Sequence, residues 1–355
     1  MTAQPLDLDA LRARVDAVLA EFLDDKARLA AAHHWPQDLC RSVRDFLAAG
    51  GKRIRPILCG LGWQAAGGPG IPESVIYTAA ALEMFHAFCL IHDDVMDHSD
   101  RRRGHPTVHR KLAARHPEYP GEAAAWWGAC GAVLVGDMAL AWSDELLEIA
   151  ELPPRRRAAL RRGIDAMRGE VVHGQYLDLT TVFAPPDDVD AALKVIRYKT
   201  AKYTIERPLH AGAVLAGANE PLLASLSAYA LPLGEAFQLR DDLLGVFGHP
   251  RRTGKPVLDD LREGKHTVLL ALAHRRADPL QRALLQELVG QADLTDDDAA
   301  LIREVLEATG ARAGVETMIA TRYDQALTAL EDTPYPAAAL AALRHVAALA
   351  TQRIA

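Results

Sequence analysis

The 355-residue sequence lacks several features that would place it in a broad class of protein. Its four cysteines, Cys40, Cys59, Cys89 and Cys130, are widely spaced and form no CxxC pair, which argues against a zinc site and a disulfide framework. An excess of positive charge is also missing, since the formal net charge is -7. This charge argues against a general nucleic-acid binder, although local basic patches can still hold a small anion. The cysteine usage fits a reducing cytoplasm best.

Long apolar runs and targeting signals are missing as well. No uninterrupted apolar run reaches the ~18 residues that a membrane span needs. Residues 1–9 are polar and acidic rather than basic and then apolar, so no secretory signal is predicted. No Gly/Ser/Pro-rich linker separates the helical blocks, and we therefore expect a single domain over residues 1–355.

What the sequence contains is mainly helix-forming. Ala, Leu, Arg and Glu dominate, apolar residues recur at helical spacing, and strand signals are scarce. Several segments are too long and too apolar to be surface helices, which predicts an all-α protein, a single large helical bundle. The candidate helices are Leu8 to Ala32, Gln37 to Ala48, Pro72 to His98, Ala123 to Ala150, Arg155 to Leu179, Val189 to Gly217, Pro221 to Phe247 and Pro336 to Gln352.

Two aspartate-rich runs lie inside apolar, helix-forming sequence. The first contains Asp93, Asp94 and Asp97, and the second contains Asp241 and Asp242. Buried carboxylates are costly unless a cation meets them, so these runs indicate a metal or a strong base. Magnesium is the natural candidate, because it takes oxygen ligands and commonly shares them between protein carboxylates and substrate phosphates. Asp93 and Asp97 are four residues apart and share one helix face, where they can address one bound polyanion.

Basic residues accompany both acidic runs. Arg101 to Arg103 follow the first run, and Lys52 and Arg55 come after a glycine pair. Lys199 precedes the second run, and Lys255 follows it. Guanidinium groups match phosphate oxygens with forked hydrogen bonds, so the set suggests a diphosphate held between carboxylates and cations. For the arginine cluster alone, a solvated basic loop is the alternative.

Together these residues resemble the trans-prenyltransferases, the polyprenyl diphosphate synthase family, from about Gly50 to Lys265. The resemblance lies in GGKRIRP at 50–56, EMFHAFCLIHDDVMD at 83–97, RRG at 102–104, KT at 199–200, and FQLRDD at 237–242 with TGK after it. It implies the isoprenoid synthase type of helical bundle with a central apolar cavity. It also implies a homodimer that uses magnesium, with three ions per active site when substrate is bound.

The resemblance assigns roles to individual residues. Asp93, Asp97 and Asp241 would coordinate the magnesium ions, with Asp94 and Asp242 supporting them from behind. The residues implied to bind the allylic diphosphate are Arg102, Lys199, Thr200, Gln238 and Lys255. Those implied to bind isopentenyl diphosphate are Lys52, Arg55, His86 and Arg103. For His86, a hydrogen-bonded core histidine is the alternative.

The sequence departs from the family pattern at one position. The second acidic motif of many members ends in a third aspartate, and here that position is Gly245. By resemblance, the first aspartate of this motif makes the main metal contact, so Asp241 would keep that role. The third carboxylate, which would assist it, is missing. We therefore expect the site to be weakened at this point and activity to survive.

Product length should depend on what lies below the first acidic motif. Phe88 and Cys89 precede Asp93 by five and four residues, which places them roughly 7 Å down the helix. By resemblance, one bulky and one small residue here fit a twenty-carbon synthase, and Met84 and Phe85, one turn deeper, could form the floor. The alternative is that Phe88 simply packs in the core.

The resulting hypothesis is a magnesium-dependent head-to-tail condensation of isopentenyl diphosphate with an allylic diphosphate, making geranylgeranyl diphosphate. Farnesyl or longer products stay open as alternatives, as does a non-catalytic partner subunit of such a synthase. A class I terpene cyclase shares the first motif, but its second motif is missing, since Gly245 and His249 follow the Asp241-Asp242 pair.

Overall fold

The structure, a computed structural model, describes residues 6–248, 259–331 and 333–351. Its α-helices, in chain order, are α1 (Leu8–Ala32), α2 (Asp38–Ala48), α3 (Ile54–Ala65), α4 (Glu73–Met96), α5 (Val108–Ala113), α6 (Gly121–Ile149), α7 (Pro154–Thr180), α8 (Val189–Val195), α9 (Arg207–Ala216), α10 (Glu220–Phe247), α11 (Asp259–Arg262), α12 (Val268–Arg276), α13 (Pro279–Leu288), α14 (Asp296–Ala308), α15 (Ala311–Ala329) and α16 (Ala337–Thr351). A π-helical stretch, Ile196–Glu206, joins α8 to α9, and a 3-10 turn, Thr181–Phe183, follows α7. Within the described ranges, the strands are β1 (Arg101–Arg102) and β2 (His105–Pro106), which pair antiparallel.

The prediction of an all-α protein is confirmed, with two differences in detail. The predicted helix from Val189 to Gly217 is not uniform, because its middle part is π-helical. Helices α3, α5 and α11 to α15 were not among the candidates, and the predicted end of the last helix at Gln352 lies outside the described residues.

Helix α4, which carries the first acidic motif, is a core helix. It packs against α6, α3 and α1, and its side chains from Val75 to Phe85 are almost entirely buried. The burial follows from composition, because the helix is apolar around most of its circumference until the aspartates at its C-terminal end. The acidic motif is therefore held on a rigid element.

Helices α3 and α9 cross at close range, and glycine makes this possible. A Cβ at Gly62 would lie 1.9 Å from the carbonyl oxygen of Leu209, and one at Gly212 would lie 1.8 Å from that of Cys59. Any side chain at either position would force the helices apart. This crossing fixes α3, and with it Arg55, against the segment that follows the π-helix.

Two helices are long and apolar enough to pass a composition test for a membrane span, α4 and α6. Most of the apolar window of α4 is buried inside the protein (67 %), whereas only 28 % of that of α6 is. Such a test is weak evidence, because the core helix of a globular protein also passes it. The contrast shows that α6 leaves an apolar face uncovered.

Candidate active site

The first acidic motif stands at the C-terminal end of α4. Asp93 lies in its last turn and Asp97 caps it, so the two carboxylates stand one turn apart on the same side of the helix. Their side chains keep a little exposure, 15 % and 10 %, whereas Asp94 is fully buried. The sequence pattern is thus resolved into two accessible carboxylates and one that faces inward.

Each accessible carboxylate is paired with a lysine from another part of the chain. Lys199 Nζ lies 3.0 Å from Asp93 Oδ1 and 2.6 Å from Asp178 Oδ2. Lys265 Nζ lies 2.8 Å from Asp97 Oδ2 and 2.8 Å from Glu263 Oε2. Burial opposes the charge on Asp93, but Lys199, Arg102 and Lys265 outweigh it and hold its pKa below the ordinary value.

Arg102 reaches the motif from the β1–β2 hairpin. Its Nε donates to Asp94 Oδ1 at 2.6 Å, and its Nη2 lies 3.4 Å from Asp93 Oδ2. Burial raises the pKa of Asp94 to about 6, although Arg102 acts in the opposite direction. Arg102 is therefore not a solvated surface residue, because its guanidinium pairs with the acidic motif.

The π-helical stretch positions Lys199 and Thr200. A Cβ at Gly174 of α7 would lie 2.4 Å from the backbone nitrogen of Lys199, and one at Gly234 of α10 would lie 2.4 Å from the Cα of Ala201. The stretch is thus clamped between two helices that approach it at glycines. π-helical turns are rare and commonly mark functional sites.

A hydrogen-bond chain connects the π-helical stretch to the second acidic motif. Thr200 Oγ1 donates to Gln238 Oε1 at 2.8 Å, and Gln238 Nε2 donates to Asp242 Oδ1 at 2.8 Å. Burial, with smaller contributions from Asp260 and Asp241, raises the pKa of Asp242 to about 7, while the hydrogen bond from Gln238 and, more weakly, Lys265 oppose the rise. Lys265 therefore acts electrostatically on both acidic motifs.

The departure at Gly245 has a structural counterpart. A Cβ at this position would lie 1.9 Å from Oδ2 of Asp260, a residue of α11. The carboxylate of Asp260 therefore occupies the space that a side chain at position 245 would need. Lys255, which was predicted to bind the allylic diphosphate, lies outside the described residues.

A second cluster of cations lies at the start of α3. Arg55 donates from Nη2 to Thr204 Oγ1 at 2.5 Å, and its guanidinium stands 4.1 Å from the centre of the Tyr203 ring. His86 Nδ1 lies 2.9 Å from the hydroxyl of Tyr203. Burial and then Arg55 lower the pKa of His86 well below its ordinary value, which keeps the imidazole neutral. Arg103 bonds to the carbonyl of Gly50.

Sequence reasoning missed several residues of the site. Arg53 is buried, in a left-handed conformation with φ 48°, and forms a 2.8 Å ion pair with the buried Glu83. The sequence analysis gave Lys265 no role and used it only to mark the end of the family resemblance. No sequence motif pointed to Tyr203, which lies in the π-helical stretch. The other site residues that the structure adds are Gln175, Asp178 and Glu263, which contact Asp93, Lys199 and Lys265.

Aromatic side chains line α4 below the acidic motif. The ring centroids of His92 and Phe88 are 4.7 Å apart, and those of Phe88 and Phe85 are 5.3 Å apart. Phe85 and Met84 are buried in the core, whereas Phe88 and Cys89 are only partly buried. Two of the four residues predicted to set product length, Phe85 and Phe88, thus form a column of rings with His92 along α4.

Comparison with known proteins identifies the family of the chain. A family model described as Polyprenyl synthetase matches residues 36–308. The chain is 36 % identical over 301 residues to a (2E,6E)-farnesyl diphosphate synthase of Mycobacterium tuberculosis, covering 83 % of this chain and 77 % of that one. It is 31 % identical over 274 residues to a geranylgeranyl diphosphate synthase of Methanosarcina mazei, covering 77 % of each chain.

A solved structure extends the similarity to the whole fold. The crystal structure of a geranylgeranyl pyrophosphate synthase from Corynebacterium glutamicum, complexed with isoprenyl diphosphate and magnesium, superposes with a TM-score of 0.93. The two are 42 % identical, and the match covers 98 % of this chain and 100 % of that one. The chain therefore belongs to the polyprenyl synthetase family. Within that family it is a prenyl diphosphate synthase, a prenyltransferase of the all-α isoprenoid synthase fold.

Proposed function

We propose that the protein catalyses the magnesium-dependent head-to-tail condensation of isopentenyl diphosphate with an allylic diphosphate, with geranylgeranyl diphosphate as its main product. The observation that carries this proposal is the pairing of Asp93 with Lys199 and of Asp97 with Lys265 on one side of α4. Carboxylates and cations alternate there at a partly open surface, which suits a metal-bound diphosphate.

The donor set fits magnesium. Asp93 and Asp97, together with Asp241, offer carboxylate oxygens, the hard ligands that this ion prefers. Across the described residues, no three acidic, histidine or cysteine side chains form a ready-made metal cage. This agrees with an ion that takes several of its ligands from water and substrate phosphate. When bound, magnesium supplies positive charge to the leaving diphosphate.

The basic side chains of the site would hold the allylic diphosphate. The side chains of Lys199 and Lys265 are 23 % and 31 % exposed, so each can turn its ammonium from a carboxylate to a phosphate oxygen. Arg102 adds a guanidinium fixed by Asp94. These cations would stabilise the negative charge that develops on the leaving group as the allylic carbon–oxygen bond breaks. Thr200 and Gln238 would line the same pocket.

The second substrate would bind at the cluster around α3. Lys52, Arg55 and Arg103 would hold the diphosphate of isopentenyl diphosphate, with neutral His86 beside them. Because the imidazole is uncharged, it can donate or accept one hydrogen bond without adding charge near the carbocation. The apolar side chains below Asp93 would exclude water from that cation, and the released pyrophosphate would take up the proton lost at the end.

The twenty-carbon product is supported by the column below the motif. Phe88 would narrow the path of the growing chain beside the small Cys89, and buried Phe85, which contacts Phe88, would close it one turn deeper. Relatives of this chain carry the names of both farnesyl and geranylgeranyl synthases, so this choice is tested directly.

The test is a product assay of the purified protein with labelled isopentenyl diphosphate and dimethylallyl, geranyl or farnesyl diphosphate in turn. We expect elongation that requires magnesium and stops mainly at twenty carbons. Elongation without added divalent metal, in protein first treated with a chelator, would contradict the metal requirement. A folded protein that elongates none of the starters would instead favour a non-catalytic partner subunit.

We also propose that the enzyme is a cytoplasmic homodimer that pairs through α6 and α7. These helices expose large apolar side chains, among them Trp126, Leu134, Val172 and Tyr176. An uncovered apolar face of this kind is typical of an interface between subunits. Sedimentation should give twice the monomer mass, and Leu134→Glu should lower it. A monomeric wild type would contradict the assignment.

A further inference from the structure

A partly buried arginine, Arg168, whose side chain is 16 % exposed, lies next to the deepest ring of the aromatic column. The guanidinium carbon of Arg168, a residue of α7, lies 5.3 Å from the ring centre of Phe85. Phe85 in turn contacts Phe88, and Phe88 contacts His92 next to the acidic motif. The ring contacts therefore run from His92, the sequence neighbour of Asp93, to the guanidinium of Arg168.

Arg168 is firmly held in this place. Its Nη1 lies 2.9 Å from Asp144 Oδ1, and its Nη2 donates to Ser143 Oγ at 2.9 Å, both on α6. Its Nε is buried without a hydrogen-bond partner in the described structure. Movement of the guanidinium would break the ion pair of Nη1 with Asp144 and the hydrogen bond of Nη2 to Ser143, so these contacts hold the cation against the ring of Phe85.

Beyond this contact lies loosely packed apolar surface that a longer chain would have to open. A small gap, too narrow for a water molecule, lies between α4, α6 and α7. Its lining residues are Ala81, Leu82, Phe85, Leu147, Ile164, Met167 and Arg168. Ala81 is one turn deeper than Phe85 on α4 and is small. Apart from Arg168, all of these side chains are apolar and would accept a prenyl tail.

We propose that Arg168 is a specificity-determining residue that sets the maximum product length by holding Phe85 in place. An alkyl tail that pushed Phe85 aside would have to displace or desolvate an ion-paired guanidinium, and neither cost is repaid by apolar contact. The arginine acts as a positioning residue because it meets the growing tail through the ring of Phe85. This inference rests on the proposed condensation activity and names a determinant of its product.

The test compares product lengths of Arg168→Met and of a matched control, Arg161→Met. Arg161 also pairs with Asp144, at 2.7 Å, but it is about half exposed. We expect Arg168→Met to raise the ratio of longer products to the wild-type product by roughly tenfold or more, the discrimination that single apolar groups provide. Arg161→Met should keep the wild-type distribution. An unchanged distribution in a folded, active Arg168→Met would overturn the proposal, as would an equal shift in both variants.

A second variant covers the case in which Arg168→Met fails to fold. Asp144→Asn keeps the arginine but weakens its anchor, and it should lengthen products by a smaller factor at unchanged kcat for the first condensation. A wild-type distribution in this variant as well as in Arg168→Lys would refute the role of the anchored cation. Failure of the proposed function itself would look different, because the wild-type protein would then form no elongated product at all.

Discussion

Replacement of Arg53 by methionine should destabilise the protein strongly, because it strands a buried carboxylate. Arg53 is 7 % exposed and Glu83 only 3 %, and their ion pair measures 2.8 Å. Arg53 also donates to the carbonyl of Leu47 at 2.9 Å and pairs with the half-exposed Asp16 at 2.8 Å. The change therefore removes the ion pair with Glu83, the hydrogen bond to the carbonyl of Leu47 and the ion pair with Asp16.

The expected cost follows from the burial of the two partners. Breaking a buried pair from one side costs about 3–5 kcal/mol, whereas an exposed pair such as that with Asp16 is worth about 1 kcal/mol or less. For a protein of 355 residues, that loss corresponds to a fall in Tm of roughly 4–7 °C. Asp16→Asn is the matched control, and it should shift Tm by roughly 2 °C at most.

The double variant Arg53→Met with Glu83→Leu separates charge from position. Removing both charges should restore most of the lost stability, since apolar replacement of a buried pair is commonly neutral. Its function should not recover fully, because Arg53 holds the left-handed turn, φ 48°, between Lys52 and Arg55. We expect a raised KM for isopentenyl diphosphate with a smaller change for the allylic substrate.

Thermal unfolding and steady-state kinetics of the four proteins check this reasoning. An Arg53→Met variant no less stable than Asp16→Asn, or a double variant less stable than Arg53→Met, would contradict the role given to the buried pair. A restored double variant with wild-type KM for both substrates would instead separate Arg53 from the positioning of the second substrate.

Three further predictions concern the site and the response to pH. Asp93→Ala and Asp241→Ala should each lower kcat by roughly 10²–10³ while circular dichroism shows an intact fold, and wild-type rates would contradict the metal assignment. Phe88→Ala should lengthen products, and an unchanged distribution would mean that this ring does not limit the chain. Burial lowers the pKa of His109 from 6.5 to about 4. Between pH 6.5 and about 4, this imidazole is therefore protonated in the unfolded state and neutral in the folded state. Stability should therefore fall by at most about 3 kcal/mol as pH drops through that window, and His109→Gln should flatten the curve; parallel curves would exclude His109 as the cause.

The sequence predicted the helical class and the main carriers of charge, because both are local properties. Helical spacing in apolar sequence defines α4, and the four-residue separation of Asp93 and Asp97 places both carboxylates on one side of it. The fold class and the family were confirmed, whereas the roles of the individual site residues stay predictions. The π-helical conformation at Lys199 could not be predicted from the sequence, because it depends on close contacts with glycines of two neighbouring helices.

Tertiary structure alone decided which charges meet. Lys265 is 168 residues from Asp97 in sequence and donates a hydrogen bond to it. Glu83 lies in an apolar helix, and only the structure shows that it is the buried ion-pair partner of Arg53. The same holds for Asp260, whose carboxylate fills the space beside Gly245, and for Arg168 under Phe85. The spacing of residues along a helix fixes which side chains share a face. Only the packing of that face against distant segments fixes which charge neutralises which, because electrostatic pairing depends on distance in space and on burial.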